Sequence, residues 1–190
     1  MKTALLLIDI QESFRHRPYW SADELPEFLA ANRRLIEGAQ RLGLPIVRVL
    51  HNDGPEQADN AFAMASGLVT SLAELAPYEP TLEIIKHRHS ALAGTGLSIW
   101  LHSQGIQRLI VSGIRTEQCC ETTTRHASDE GWLVDYVTEA TLTFAMTHAS
   151  GAVLSPADLK LRTETVLQDR FAEICSAEQA VARAAKALLA

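Results

Sequence analysis

A doubly wound, mainly parallel α/β sheet of six strands with helices on both faces is predicted by three features of this sequence. Short apolar runs alternate along the chain with longer amphipathic ones. The apolar runs lack strict inside/outside alternation, as strands covered on both faces require. Strand–helix alternation implies parallel crossover connections rather than hairpins.

The first strand is predicted over residues 3–8. A helix follows over 27–42, with Phe28, Ala31, Leu35, Ala39 and Leu42 at three-to-four-residue spacing, and Gly43-Leu44-Pro45 stops it and launches a second strand over 45–50. Residues 52–80 are the least regular, with a helix expected inside 61–75. The third strand is 82–86, followed by a helix over 96–104 with Thr95 as its N-cap. The fourth strand is 108–112 and leads to a helix over 117–130; the fifth strand is 132–137. Ser155-Pro156 opens a helix over 156–168, a weak sixth strand lies at 171–175, and an alanine-rich helix spans 177–189. Six strands is an ordinary sheet size. With no repeat, low-complexity stretch or linker, residues 1–190 read as one domain.

The 190 residues are 47% hydrophobic and 21% charged, with a net charge of −6. A chain of this length buries roughly 70% of its unfolded surface and needs no disulfide or metal to hold a core. Three cysteines, an odd number, argue for a reducing compartment, so a cytoplasmic location is expected. The apolar stretch from Ala4 to Ile10 is interrupted by Asp9 and is too short for a signal-peptide core, and no run nears the ~20 apolar residues of a membrane span. Mild acidity without a basic cluster weighs against nucleic acid as partner. A small-molecule substrate is the remaining expectation.

In such sheets the ligand crevice lies beyond the carboxyl ends of the strands, where strand order reverses. Asp9, Lys86 and the turn from Gly113 to Cys119 all fall at such ends. Cys119 stands near the start of a helix-like run, where the field of the amide groups favours thiolate and lowers the thiol pKa; an inert buried cysteine is the competing account. Asp9 follows an apolar strand, where a carboxylate demands a partner. Its plainer reading is a loop cap or an arginine's partner. Lys86 reads alternatively as the solvated end of a strand.

Asp9-Ile10-Gln11 with Phe14 forms D-x-Q-x-x-F, Lys86 is followed by Ser90-Ala91 and then Gly94-Thr95-Gly96-Leu97, and residues 113–119 read G-x-x-T-x-x-C, followed by Thr123, Arg125, Ala127 and Gly131. In these motifs and their order the chain resembles the isochorismatase-like cysteine hydrolases, which include nicotinamidases and isochorismatases and share a Rossmann-like three-layer fold. The resemblance implies a catalytic triad of Asp9, Lys86 and Cys119. It also implies a cis peptide between Ile114 and Arg115 and an oxyanion hole made by the backbone N–H groups of Arg115 and Cys119. The implied reaction is hydrolysis of a small amide or carbamoyl compound through a thioester, releasing ammonia or an amine.

Nicotinamidases carry a metal site in a D-x-H arrangement after the second strand. Here that region reads Leu50-His51-Asn52-Asp53, with no second histidine before His87, so no metal and no cofactor are expected and nicotinamide is disfavoured. Isochorismatases cleave a vinyl ether through the aspartate and commonly lack the cysteine, so Cys119 argues against that activity. The family's S-A-F reads Ser90-Ala91-Leu92. Gln11, Phe14, Tyr19, Trp20, Arg115 and Phe144 are the candidate substrate-binding residues, and Thr141 to Phe144 and His148 are candidates to line the pocket. Arg115 suits a substrate carboxylate, with surface exposure as the competing account.

His87 and His89 share one side of an extended segment, and nothing nearby completes a metal site. Cys120 reads as a small buried helix residue, Cys175 as core. Relatives in this family are often dimers or larger, so a homo-oligomer is expected. Two readings stand beside the thiol-dependent amidohydrolase: an aspartate-driven vinyl-ether hydrolase, and a noncatalytic binding or redox-sensing protein on the same scaffold.

Overall fold

The computed structural model describes residues 1–189. Its main sheet is built from β1 (Lys2–Ile8), β2 (Ile46–His51), β3 (Leu82–Lys86), β4 (Ile106–Ile114), β5 (Leu133–Leu142) and the short β8 (Glu173–Ile174). All neighbouring pairs are parallel, in the order β3-β2-β1-β4-β5-β8. Strand order reverses between β1 and β4, the position where a doubly wound sheet opens a crevice.

Helices α1 (Leu25–Leu42) and α5 (Ala177–Leu189) cover one face, and α2 (Leu97–Ser103), α3 (Glu121–Asp129) and α4 (Pro156–Leu167) the other. Successive side chains of one strand point to opposite faces. Leu5 and Leu7 of β1 therefore join Phe28, Leu35, Val181 and Ala184 in one core, whereas Leu6 and Ile8 join Leu97, Leu101, Ala127 and Leu167 in the other. This two-sided burial is why the strands read as continuous apolar runs.

Several local signals act as read. Gly43 closes α1 in the left-handed conformation (φ 64), its amide bonding back to the last turn. Ser155 and Asp158 form a reciprocal capping box on α4. Thr95 acts one residue early: Gly96 is the N-cap of α2, and Thr95 Oγ1 accepts the Leu97 amide at 3.3 Å.

The helix expected inside 61–75 is not there. Only a single 3-10 turn, Met64–Ser66, forms, and Gly67 ends it at φ 73. Side chains outcompete the helical ladder: Asn60 Nδ2 donates to the carbonyls of Asp53 and Pro55, and Ser66 Oγ to those of Ala61 and Ala63. The helix read from 117 begins instead as a π-turn, Thr116–Cys120, that runs into α3. A hairpin of β6 (Met146–Thr147) and β7 (Val153–Leu154) had no sequence signal. Among the described residues no helix is long and apolar enough to cross a membrane.

Candidate active site

Three strand ends supply the site. Asp9 follows β1 with φ 52, a left-handed conformation that aspartate tolerates better than most residues. Its amide donates to the Val49 carbonyl at 2.8 Å and its carbonyl accepts the Gln11 amide at 2.9 Å. Lys86 is the last residue of β3 and lies opposite His51, the last of β2. Cys119 is the fourth residue of the π-turn after β4.

That turn is braced from β5. The register between β4 and β5 shifts between Val111 and Gly113, which brings Thr141 opposite Gly113. Thr141 Oγ1 then meets Thr116 Oγ1 at 2.8 Å, and Tyr136 Oη donates to the Thr116 carbonyl at 2.8 Å. The amides of Gln118 and Cys120 both donate to the Arg115 carbonyl at 3.2 Å. A cis peptide joins Ile114 to Arg115, at the position the family resemblance implied.

The structure brings Asp9, Lys86 and Cys119 together. Lys86 Nζ lies 2.8 Å from Asp9 Oδ2 and 3.5 Å from Cys119 Sγ, and both charged residues have 0% exposure. The solvated-end reading of Lys86 and the arginine-partner reading of Asp9 are thereby overturned. The ammonium aims its hydrogen bonds at His51 Nδ1 (2.6 Å), the Arg88 carbonyl (3.0 Å) and Cys119 Sγ. Asp9 sits off those axes, so the contact is an ion pair, and neither of its oxygens accepts a directed hydrogen bond among the described residues.

Burial decides the electrostatics. Desolvation raises the Asp9 carboxyl above its usual range, opposed by the Lys86 charge. The Cys119 thiol is also pushed well up, first by burial and then by the negative charge of Asp9, with Lys86 acting in the other direction. This reverses the lowered thiol expected from a helix start: at 6% exposure, loss of water outweighs the field of a single turn. His51 is pushed down to about 4 by burial and by Lys86. A neutral imidazole facing an ammonium must accept on Nδ1 and carry its proton on Nε2.

Asp9, His51 and Cys119 also offer three donor atoms within 4.8 Å of one another. The group does not fit a metal ion. Lys86 Nζ stands within hydrogen-bond distance of His51 and in ion-pair contact with Asp9, so the cation these donors surround is an ammonium. Asp53 reaches His51 Nε2 only at 4.0 Å from a largely exposed side chain, and His87 Nδ1 is engaged by the Asn52 carbonyl at 3.0 Å.

Gln11 is fully buried and turned into the protein: Nε2 donates to Ser13 Oγ and the His51 carbonyl, and Oε1 accepts the His51 amide at 2.8 Å. It ties the ends of β1 and β2 together rather than facing a ligand. Phe14 packs edge-on against Phe62 at 5.0 Å. Tyr19 and Trp20 both lean on Phe144, with ring centroids 5.3 Å apart. Arg115 lies over Tyr19 (4.8 Å) and Phe144 (5.7 Å), pairs with Glu117 at 3.0 Å and is only 7% exposed, which rules out the surface reading. His148 is exposed in the β6–β7 hairpin and bonds Ser150 at 2.8 Å. Cys120 and Cys175 are buried free thiols.

Two histidines at the site were read from sequence only as failed metal ligands. His51 contacts Lys86, and His89 Nδ1 lies 3.7 Å from Cys119 Sγ. Their positions at the carboxyl ends of the second and third strands were the available signal.

The model of the isochorismatase domain matches residues 3–179. An uncharacterized isochorismatase family protein of Bacillus subtilis, YddQ, is 28% identical over 144 residues, 75% of this chain and 79% of that protein. Nicotinamidase 3 of Arabidopsis thaliana is 40% identical over 65 residues, 34% of this chain and 33% of its own. The crystal structure of a hydrolase assigned to the isochorismatase family from Chromobacterium violaceum superposes with a TM-score of 0.87 at 25% identity, covering 97% of this chain and 94% of that one. With that match running through all but the last residues, over a sheet whose strand ends gather Asp9, Lys86 and Cys119, the chain belongs to the isochorismatase family of hydrolases.

Proposed function

We propose that this protein hydrolyses a small amide, or a related carbamoyl C–N bond, through a thioester on Cys119, releasing ammonia or an amine. The observation that carries the reading is the meeting of a buried carboxylate, ammonium and thiol around Lys86 Nζ, 2.8 Å from Asp9 and 3.5 Å from Cys119. A carboxylate whose proton affinity is raised by burial is a fitting base for a thiol. In the proposed sequence Asp9 takes the Sγ proton and the sulfur attacks the carbonyl carbon. The developing oxyanion accepts from the Arg115 and Cys119 amides while Lys86 offsets the negative charge of the site. Asp9 then protonates the departing nitrogen as the C–N bond breaks. Water adds to the thioester, giving up a proton to Asp9, the C–S bond breaks, and Asp9 returns that proton to the departing sulfur to restore the thiol.

The nicotinamidase relative lends an amide precedent, but the ammonium-centred donors disfavour nicotinamide itself in a metal-dependent mode. Tyr19, Trp20 and Phe144 crowd together beside the turn, which suits a small substrate. The deciding experiment is ammonia release from a panel of small primary amides, ureas and carbamates. Activity on accepted compounds should vanish in both Cys119→Ala and Asp9→Asn. Hydrolysis of these compounds at the native rate by Cys119→Ala would remove the thiol from the mechanism.

A further inference from the structure

Cys119 Sγ has a neighbour that the proposed sequence does not use. His89 Nδ1 lies 3.7 Å from the sulfur, within reach of an S–H···N contact, and the His89 residue is exposed. Asp9 has no exposure, so a proton passed to it from sulfur has no direct path to water. The groups facing His89 come from four elements. They are Cys119 on the π-turn, Asp9 and Lys86 at the ends of β1 and β3, and the His51 ring, 6.3 Å away, at the end of β2; His87 and Arg88 adjoin it on its own segment. His51 cannot serve the sulfur in the same way, because Lys86 engages its Nδ1 at 2.6 Å.

We infer that His89 is a further catalytic residue, a solvent-side base that exchanges the Cys119 thiol proton with water. The inference rests on the thiol-nucleophile reading above. In this step the S–H bond breaks, its electron pair stays on sulfur, and an N–H bond forms on Nδ1 of a ring that already carries its proton on Nε2. The resulting imidazolium releases a proton to water, and the thiolate remains beside the Lys86 ammonium. Within a turnover the thiol proton goes to Asp9 and from there to the leaving nitrogen, as proposed above; in the free protein the exposed His89 equilibrates that same proton with water and so sets how often the sulfur is charged. Histidine is suited to this, since a neutral imidazole nitrogen accepts a proton and hands it on to water.

The test is the rate of iodoacetamide alkylation at Cys119 between about pH 5 and 8 in the full chain without substrate, each thiol followed by peptide mass mapping. The rate in the unmodified protein should rise with pH through one inflection. His89→Gln should lose the inflection and react roughly tenfold or more slowly at neutral pH, whereas Asp9→Asn should keep it. Since His89 is exposed, the substitution leaves the core intact, and an unchanged slow rate at Cys175 verifies this in each variant. An inflection that survives in His89→Gln, or that Asp9→Asn also abolishes, overturns the assignment while leaving amide hydrolysis by Cys119 standing. If Cys119 of the unmodified protein never reacts faster than Cys175, the nucleophile reading itself fails, and the role of His89 with it.

Discussion

The Ile8 carbonyl occupies the space into which a side chain at Gly113 would project: a Cβ there would stand 2.0 Å from that oxygen and 2.7 Å from its carbon. Gly113 also holds φ 137, a conformation L side chains rarely adopt. Ile8 and Gly113 are register partners, so this contact sets how closely the end of β1, carrying Asp9, lies against the turn carrying Cys119. Gly113→Ala should therefore destabilise the protein by more than ~2 kcal/mol, read as a lowered urea midpoint, and lower Cys119 alkylation in whatever fraction stays folded.

Lys86 is the only cation within ion-pair distance of Asp9 among the described residues, since the His51 ring 3.8 Å away is neutral. Lys86→Met should leave a buried carboxylate unpaired, at about 3 kcal/mol or more near neutral pH. The raised proton affinity of Asp9 fixes how the deficit varies with pH: acidification neutralises the carboxyl and should narrow the gap to the parent protein. Asp9→Asn combined with Lys86→Met should recover most of the loss in stability while staying inactive. Urea unfolding at two pH values for the parent, Lys86→Met and the double variant checks this.

The Arg115–Glu117 pair is sunk among aromatic rings, with Thr143 Oγ1 donating to the second Glu117 oxygen at 2.6 Å. Arg115 Nε and Nη2 and Glu117 Oε1 have no directed hydrogen bond among the described residues, so charge attraction holds the pair. Arg115→Met should cost about 3 kcal/mol by stranding the glutamate, and adding Glu117→Gln should return most of it. A double-mutant cycle by urea unfolding gives the coupling; additive losses would mean that the two charges do not depend on one another.

Legibility in the sequence followed hydrophobic pattern. Strand 82–86 and helix 177–189 were readable to the residue, because apolar runs and alanine-rich periodicity report directly on packing. β5 runs on to Leu142 because its ladder shifts register opposite β4, and such a shift leaves no mark in hydrophobic pattern. The site divides in the same way. Asp9, Lys86 and Cys119 stood out as reactive groups at strand ends, but Gln11 looked ligand-facing until its bonds to His51 appeared. The Cys119 thiol departs upward rather than downward for a related reason: a helix start is visible in sequence, whereas the depth at which it lies is not.

His51 carries the clearest dependence of stability on pH. Its pKa in the folded protein is pushed down to about 4 from the ordinary histidine value of 6.5, so between these values the unfolded chain binds a proton that the folded chain refuses. Stability from this group is complete above pH ~6.5 and falls as the pH drops toward the folded value, by up to ~3 kcal/mol. Asp9 acts with the opposite sign, since its raised pKa makes the folded state the better proton binder as pH falls. The contribution of His51 is therefore read from the difference between the parent protein and His51→Asn, in which Asp9 is common to both. Urea midpoints taken between pH 4.5 and 7.5 should converge at the acid end, with the parent gaining on the variant as pH rises. Parallel curves would mean that burial and the Lys86 charge do not hold the His51 ring neutral.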